Sequence, residues 1–207
     1  QGNVFGHMEM TDTIQKVSLY GHYGIMYEKT KSGFATDSAY LLDWSQTNKT
    51  YIHADTIFTE PIDSTYRKVR AFYHVRGYSD DYQFVCDSMV YNGKDSIITM
   101  YHEPVLWSEQ NQVSADTLFI ILNDSTVDHV RGIGSAFGIK QGGAEEFDQL
   151  SGKEMKAWIR HGELKEIQVS GNAETVFYPR QEDSTYVGVN KSQSSHVNMF
   201  IENNKIH

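Results

Sequence analysis

The chain has 207 residues, with 18 lysine and arginine residues against 27 aspartate and glutamate residues, so its formal net charge is −9. This balance argues against a nucleic-acid partner, because binding to phosphate backbones depends on clustered cationic side chains. No apolar run approaches the ~18 residues of a membrane-spanning helix. The single cysteine, Cys86, cannot form an intrachain disulfide. Aromatic residues make up 13% of a chain that is only 39% hydrophobic, which favours β structure.

The chain begins inside a short motif, Gly2-Asn3-Val4, and shows no linker, low-complexity tract or change of composition along its length. We therefore predict a single domain over residues 1–207. We also expect this domain to be a fragment of a longer exported protein.

Alternation of apolar and polar residues predicts strands through most of the chain. Three runs show the alternation best, and each is predicted to place its alternate residues on one face of a strand. They are Val17, Leu19, Gly21, Tyr23, Ile25 and Tyr27; Val69, Ala71, Tyr73, Val75 and Gly77; and Val113, Ala115, Thr117, Phe119 and Ile121. Ala144 to Trp158 predicts at most a turn or two of helix. Asp-Ser-Thr triplets that begin at Asp63, Asp124 and Asp183 predict loop tips.

A glycine motif recurs inside these strands. An apolar residue, any residue and then glycine end at Gly21, Gly77, Gly132 and Gly171, with nearly equal steps between the first three copies. Glycine has no side chain, so it lets a strand bend or approach its neighbour closely. We predict that these four glycines are structural and lie on an inward face.

A second motif alternates with the glycines. It combines a small residue, aspartate and then serine or threonine, and three of its four copies end in an aromatic residue. The copies are centred on Asp37, Asp55, Asp87 and Asp116. Uniform alternation puts the small residue, the hydroxyl and the aromatic ring on the inward face and the aspartate outside. The two motifs predict an all-β fold, a twisted, open-ended, taco-like β-jelly-roll of quasi-repeated antiparallel strand units.

These motifs resemble those of the OstA/LptA-like family of lipopolysaccharide-transport proteins, in the form found in Bacteroidetes-type bacteria. The segments that carry the resemblance are QGNV at 1–4, SADTLFI at 114–120 and VSGNAETVFYP at 169–179. Long insertions at 60–67 and 138–149 depart from the better-known members. The resemblance implies a non-enzymatic carrier or bridge in the periplasm of a Gram-negative bacterium, with no cofactor and no metal.

The resemblance also implies what the chain binds. The expected ligand is lipopolysaccharide or lipid A, with its acyl chains shielded in an apolar groove. We expect this groove to be lined by Tyr40, Phe58, Val113, Phe119 and Phe177. We also expect head-to-tail self-association, or docking to similar Lpt-type domains, through the terminal strands near Gly2–Val4 and Val197–Ile201.

Other candidate chemistry points away from an enzyme. The nine histidines are scattered without the spacing of metal ligands. Cys86 replaces the small residue of one motif copy, which is typical of a buried hydrophobe. The repeated aspartates are the strongest catalytic candidates, because glycosidases use paired carboxylates, although repetition of a structural unit gives the same pattern. The alternative function is a β-solenoid or jelly-roll protein that binds or cleaves envelope polysaccharide with aromatic residues on an outer face.

Overall fold

A computed structural model describes residues 2–45, 48–123, 126–143, 145–160, 162–179, 185–202 and 205–206. Every regular element in these ranges is a β-strand, so the predicted all-β fold class is confirmed. The helical turn predicted after Ala144 is wrong, because a strand covers Phe147–Arg160. The expected insertion at 138–149 is also largely strand. In the described ranges no helix is long and apolar enough to cross a membrane.

Some predicted features lie outside the described residues. They are Gln1 of the first motif, Ala144, His161 and His207, and the loop-tip residues Asp124, Ser125, Asp183 and Ser184. The loop tip that begins at Asp63 is described. There the Asp63 carboxylate accepts hydrogen bonds from the backbone N–H groups of Thr65 (2.8 Å) and Tyr66 (2.9 Å). These bonds stabilise the ionised form and lower the pKa of Asp63.

The chain divides into two compact units, Gln1–Pro104 and Val105–His207, and the single-domain prediction stays a prediction. In unit 1 each strand pairs antiparallel with the next strand along the chain. The strands of unit 1 are β1 (Gly2–Asp12), β2 (Val17–Tyr27), β3 (Ser32–Asp43), β4 (Thr50–Pro61), β5 (Arg67–Tyr78), β6 (Gln83–Asn92) and β7 (Ile97–Tyr101).

Unit 2 is also antiparallel. Its strands are β8 (Val105–Ser108), β9 (Asn111–Ser114), β10 (Thr117–Asn123), β11 (Thr126–Gln141), β12 (Phe147–Arg160), β13 (Glu163–Phe177), β14 (Asn190–Glu202) and β15 (Lys205–Ile206). Strands β10 to β15 pair in chain order, and the short β9 pairs with β8 and with the second half of β11.

The long strands are interrupted midway by a β-bulge, where alternate strands carry one extra residue. In β3 the pairing with β4 skips the two residues between Thr36 and Ala39. Residues in these gaps adopt the left-handed backbone conformation: Gly6 in β1, Asp37 and Ser38 in β3, Tyr73 and His74 in β5, Gly134 and Ser135 in β11, and Gly171 and Asn172 in β13. A bulge bends its strand and increases the local twist. We call the row of bulges the corner and the strand segments on either side of it limbs.

The strands between the bulged ones have no extra residue at the corner. There the alternation of inward and outward side chains shifts by one position. In β4, Ala54 and Ile57 are both fully buried although they are three residues apart. Asp55 and Thr56 therefore both point away from the buried face. The same three-residue step separates Cys86 from Met89 and Ala115 from Leu118. The prediction that inward and outward side chains keep alternating beyond the aspartate is therefore wrong. The bend moves the inward position from the Ser or Thr to the residue that follows it.

One face of each unit, the inner face, carries the core. A single sheet can bury a face only if something covers it, so we infer that the two limbs of each unit cover each other. In unit 1 the most buried members are Met8, Leu19, Ala35, Ala39, Leu41, Ala54, Ile57, Ala71, Val75, Phe84, Met89 and Met100; in unit 2 they are Leu118, Ile120, Ala136, Met155, Val169 and Ala173. Small residues next to the corner let the limbs approach closely.

The four glycines of the first motif occupy two kinds of backbone position, and their structural role stays a prediction. Gly171 lies in a bulge with a positive φ of 78°, which side-chain-bearing residues rarely adopt. The others lie where a side chain would collide with a neighbour. A Cβ at Gly77 would overlap the ring of Phe84 on the paired strand. At Gly21 it would lie 2.9 Å from the carbonyl oxygen of Thr36.

Candidate functional site

The residues expected to line a groove fall on different faces of the sheet. Tyr40 is 39% exposed between Ala39 and Leu41, which are 0% and 4% exposed, so its ring lies on the outer face. The inward placement predicted for Tyr40 is therefore wrong. The motif copy was aligned on Thr36 as its inward small residue, whereas the inward small residues of β3 are Ala35 and Ala39 on either side of the bulge.

Phe58 and Phe119 also lie on the outer face. Phe58 is half-buried between the buried Ile57 and Thr59, and Phe119 between the buried Leu118 and Ile120. The inward placement predicted for both rings is wrong because of the phase shift at the corner. The aliphatic residue directly before each ring takes the inward position instead.

Val113 and Phe177 do lie on the inner face. Val113 is half-buried and pairs directly with Leu106 and Gly138, and residues directly opposite on paired strands share a face. Phe177 follows the buried Thr175 by two residues at the end of β13. Whether either side chain contacts a lipid stays a prediction.

The centre of the inner face is apolar, and the fully buried polar residues are all hydroxyl-bearing: Ser18, Thr59, Ser79 and Thr175. Charged side chains lie at its margin, where Arg67 donates a 3.1 Å hydrogen bond from Nε to the hydroxyl of Thr59 and lies 4.0 Å from Asp12. Burial raises the pKa of the Cys86 thiol to about 12, with a smaller contribution from the charge of Asp87. The thiol is therefore protonated at neutral pH, which fits a small core residue and not a nucleophile.

The corner carries a row of acidic and imidazole side chains. The His74 Nδ1 atom lies 2.9 Å from a carboxylate oxygen of Asp55, and His22 lies 3.9 Å from Asp37. All four are exposed, so each pairing contributes little to stability. Among the described residues, no three His, Cys, Asp or Glu side chains are placed to hold a metal ion.

Two aromatic groups cover the outer faces of the two limbs of unit 1. The first, the phenylalanine strip, consists of Phe5, Tyr23, Phe34, Phe58 and Phe72. Its successive ring centroids are 5.0 to 6.1 Å apart, but the ring planes are tilted by 34° to 79°. The Arg70 guanidinium lies 5.6 Å from the Phe58 ring centroid in a cation–π contact.

The second group, the tyrosine patch, consists of Tyr20, Tyr40, Tyr51 and Tyr78. The rings of Tyr20 and Tyr40 stack with centroids 4.5 Å apart and planes within 14°, and Tyr51 pairs directly with Tyr78. Desolvation raises the pKa of Tyr40, and the charges of Tyr20, Glu9 and Tyr51 add to the effect. Sequence analysis missed three of these tyrosines, although each directly adjoins an inward residue: Leu19, Ile52 or Gly77.

Charged side chains form a cluster on the outer face of unit 2. Arg131 donates a 2.8 Å hydrogen bond from Nε to Glu154, and Lys156 lies 3.6 Å from the same carboxylate oxygen. The hydrogen bond from Arg131 is the main cause of a lowered pKa at Glu154. On the same unit, Gln193 donates a 2.7 Å hydrogen bond across the strands to Glu174.

No protein-family model matches the chain, and no curated protein matches it. Among solved structures it is similar to that of LptH, the LptA-homologous periplasmic component of the conserved lipopolysaccharide transport device from Pseudomonas aeruginosa. The match covers 67% of this chain and 96% of that one, with 9% sequence identity and a TM-score of 0.49. Function therefore has to be argued from the residues of this chain.

Proposed function

We propose that the chain is a non-enzymatic periplasmic protein of lipopolysaccharide transport and that its inner face shields acyl chains. The observation that carries this proposal is the composition of the inner face, where consecutive bent strands present only apolar and hydroxyl-bearing residues among those that are buried. The motifs that resemble the OstA/LptA-like family are the residues that build this face and its corner.

Apolar area would drive the binding of lipid. Each methylene removed from water contributes about 0.8 kcal/mol, and the apolar centre of the inner face imposes no cost for desolvating an ion. The inner face is covered in the present structure, with Ile57 and Leu118 fully buried. Loading of an acyl chain therefore requires the two limbs of a unit to separate, so that side chain–lipid contacts replace limb–limb contacts.

The terminal strands provide a route to assembly. Within the described residues, β1 pairs only with β2, and β14 pairs along most of its length only with β13. Free backbone N–H and C=O groups on such edges can pair with another chain. We propose that these edges mediate head-to-tail association, either with further copies or with similar domains that share the same transport task.

Site-specific photo-crosslinking tests the carrier proposal because neighbouring residues point to opposite faces. A crosslinking amino acid is placed at Ile57 or Leu118 on the inner face, and at Phe58 or Phe119 directly beside them on the outer face. Each variant is first shown to be folded by circular dichroism and then irradiated with lipopolysaccharide and, separately, with lipid A. Capture from the inner positions alone is expected with both lipids.

The other outcomes each exclude something definite. Capture from the outer positions alone would refute acyl shielding and would favour the alternative, a protein that binds envelope polysaccharide on an outer face. Capture from neither position in folded variants would mean that the inner face is a permanently filled core, and the carrier proposal would then be abandoned.

A further inference from the structure

We propose that the tyrosine patch of unit 1 is a binding site for a saccharide that carries an acidic group. The source of that saccharide, the sugar portion of the envelope glycolipid, rests on the proposed function above. The site lies on the outer face, away from the residues proposed to shield acyl chains, so the two can be tested separately.

The patch is organised by strand register. Glu9, Tyr20, Tyr40, His53 and Arg76 lie directly opposite one another on five successive strands, β1 to β5. All project from the outer face. With about 4.8 Å between neighbouring strands, the row extends over about 19 Å. It therefore presents a continuous line of side chains to a ligand several rings long.

The chemistry of the row matches a sugar better than a lipid. A pyranose ring has C–H groups on its faces and hydroxyl groups around its edge, so it combines stacking with hydrogen bonding. The stacked Tyr20 and Tyr40 rings supply an aromatic surface, and phenol hydroxyls supply donors and acceptors beside it. Within the described part of the chain, the hydroxyls of Tyr40, Tyr51 and Tyr78 have no hydrogen-bonding partner, so they are available to a ligand.

The charged residues at the two ends of the row determine which chemical groups of the ligand each end can bind. Arg76 is exposed and has no ion-pair partner among the described residues, although the chain as a whole carries a net charge of −9. A planar guanidinium binds phosphate or carboxylate groups in a bidentate manner. At the other end, the Glu9 carboxylate accepts a long hydrogen bond of 3.4 Å from the Tyr20 hydroxyl and can accept others from sugar hydroxyls.

The phenylalanine strip lacks these properties, which is why the proposal concerns the tyrosine patch alone. Its rings are tilted against one another, so they offer no shared plane, and four of its five members have no hydroxyl. Phe58 is in addition covered by Arg70, which forms an ion pair with Glu60 at 3.3 Å. The strip therefore offers a single hydroxyl, on Tyr23, whereas every ring of the patch carries one.

Calorimetric titration tests the site with the water-soluble core oligosaccharide released from lipopolysaccharide by deacylation. Wild type is expected to bind it, and Tyr40→Ala to weaken binding by about tenfold, because a stacking surface is lost. Tyr40→Phe should retain most of the affinity. Tyr27→Ala serves as the matched control, because Tyr27 has nearly the same exposure (38%) but lies at the far end of β2.

A second variant tests the acidic group. Arg76→Gln is expected to weaken binding and to reduce its dependence on salt concentration, since one ion pair is removed. Lipid A capture at Ile57 should be unchanged in Tyr40→Ala and Arg76→Gln, so that failure of this site is distinguishable from failure of the carrier proposal.

Other occupants of the patch would give different results, and each would overturn the proposal. Absence of oligosaccharide binding by the wild type, or equal binding by Tyr40→Ala and wild type, would remove the site. Loss of self-association in Tyr40→Ala by sedimentation velocity would identify a second copy as the occupant. Binding to phosphatidylethanolamine–phosphatidylglycerol vesicles that Tyr40→Ala abolishes would identify a lipid surface.

Discussion

The two units turn the same corner with different residues. In unit 2 the left-handed positions of the bulges begin with glycine, at Gly134 and Gly171, whereas two of the three bulges in unit 1 use side-chain-bearing residues only. Such residues pay about 1–2 kcal/mol for this conformation. The bulges of unit 1 contain four such residues and those of unit 2 contain two, Ser135 and Asn172, so unit 1 stores more strain at its corner. The bend itself is a requirement of the architecture, and glycine is only one way to meet it.

The outer faces differ as well. Unit 1 exposes aromatic rings on both limbs, whereas unit 2 presents cross-strand ion pairs and hydrogen bonds such as the one between Arg131 and Glu154. The inner faces, by contrast, are equally apolar. This separation indicates that the inner face and the corner specify the fold, while the outer face is free to carry different functions in each unit.

The largest expected effect concerns the close contact in unit 1. Gly77→Val places a branched side chain where the Phe84 ring lies, and we expect a loss of about 3 kcal/mol or more in the free energy of unfolding. Gly132→Val in unit 2 meets the Cβ of Ala115 at 3.1 Å and the flexible end of Leu118 at 3.2 Å, and because these overlaps are smaller, about 1–2 kcal/mol is expected. Chemical denaturation measures both.

Two controls define the cause of that loss. Gly2→Val has no neighbour within 4 Å and should leave stability within about 0.5 kcal/mol of wild type. Phe84→Leu combined with Gly77→Val should recover part of the loss. Equal melting of Gly77→Val and wild type would show that the close approach of this glycine is incidental to the fold.

The next prediction concerns backbone strain at the corner, where one substitution is expected to lower stability in unit 2 and another to raise it in unit 1. Gly171→Ala should destabilise by about 1–2 kcal/mol, because alanine resists the positive φ and its Cβ would meet Lys153. Ser38→Gly in unit 1 should stabilise by up to about 1 kcal/mol, since it removes a left-handed residue that bears a side chain. Loss of stability in Ser38→Gly would contradict the strain assigned to the corner of unit 1.

Thiol labelling compares how readily the two inner faces open. With its pKa raised to about 12, only about one in ten thousand Cys86 thiols is ionised at pH 8, so alkylation should be slow until unit 1 opens. Ala115 holds the same motif position in unit 2, and Ala115→Cys in a Cys86→Ala background provides the matched probe. Rapid labelling of either thiol in the folded protein would show that its inner face is not covered.

The smallest effect concerns the ion pair on the outer face of unit 2. Because Arg131 lowers the pKa of Glu154 in the folded protein, the pair stabilises above the unfolded-state value near pH ~4.3. That contribution is lost as the pH falls through the lower folded-state pKa. Arg131→Gln should raise the pKa of Glu154, measured by NMR, and cost below about 1 kcal/mol at pH 7. An unchanged Glu154 pKa would show that the pair does not form in solution.

Strand content and the recurring motifs were predictable from the sequence, but the faces beyond each corner were not. Alternation is a local signal, and it gave the correct face for Ala54, which precedes the corner in its strand. It failed for Phe58 and Phe119 because a phase shift at a bend depends on pairing with the neighbouring strand. One signal was present: an aliphatic residue follows each Ser or Thr, at Ile57, Met89 and Leu118, and breaks the alternation.

The tyrosine patch could not be predicted from the sequence, for a different reason. Its row depends on the register of five strands, and register is set by turn length and by the bulges together. The hairpin loop between β2 and β3 and the bulge in β3 determine that Tyr20 lies opposite Tyr40. No local pattern around either tyrosine contains that information.

The one-residue excess of alternate strands makes the corner unusually sensitive to changes in chain length. Deletion of a single residue at the start of a limb, Ala39 for example, would send the side chains that follow it to the opposite face, with Leu41 in water and Tyr40 in the core. Insertions in the loop at 62–66 between β4 and β5 carry no such consequence. Length variation among relatives of this chain should therefore concentrate in the hairpin loops and be excluded from the limbs.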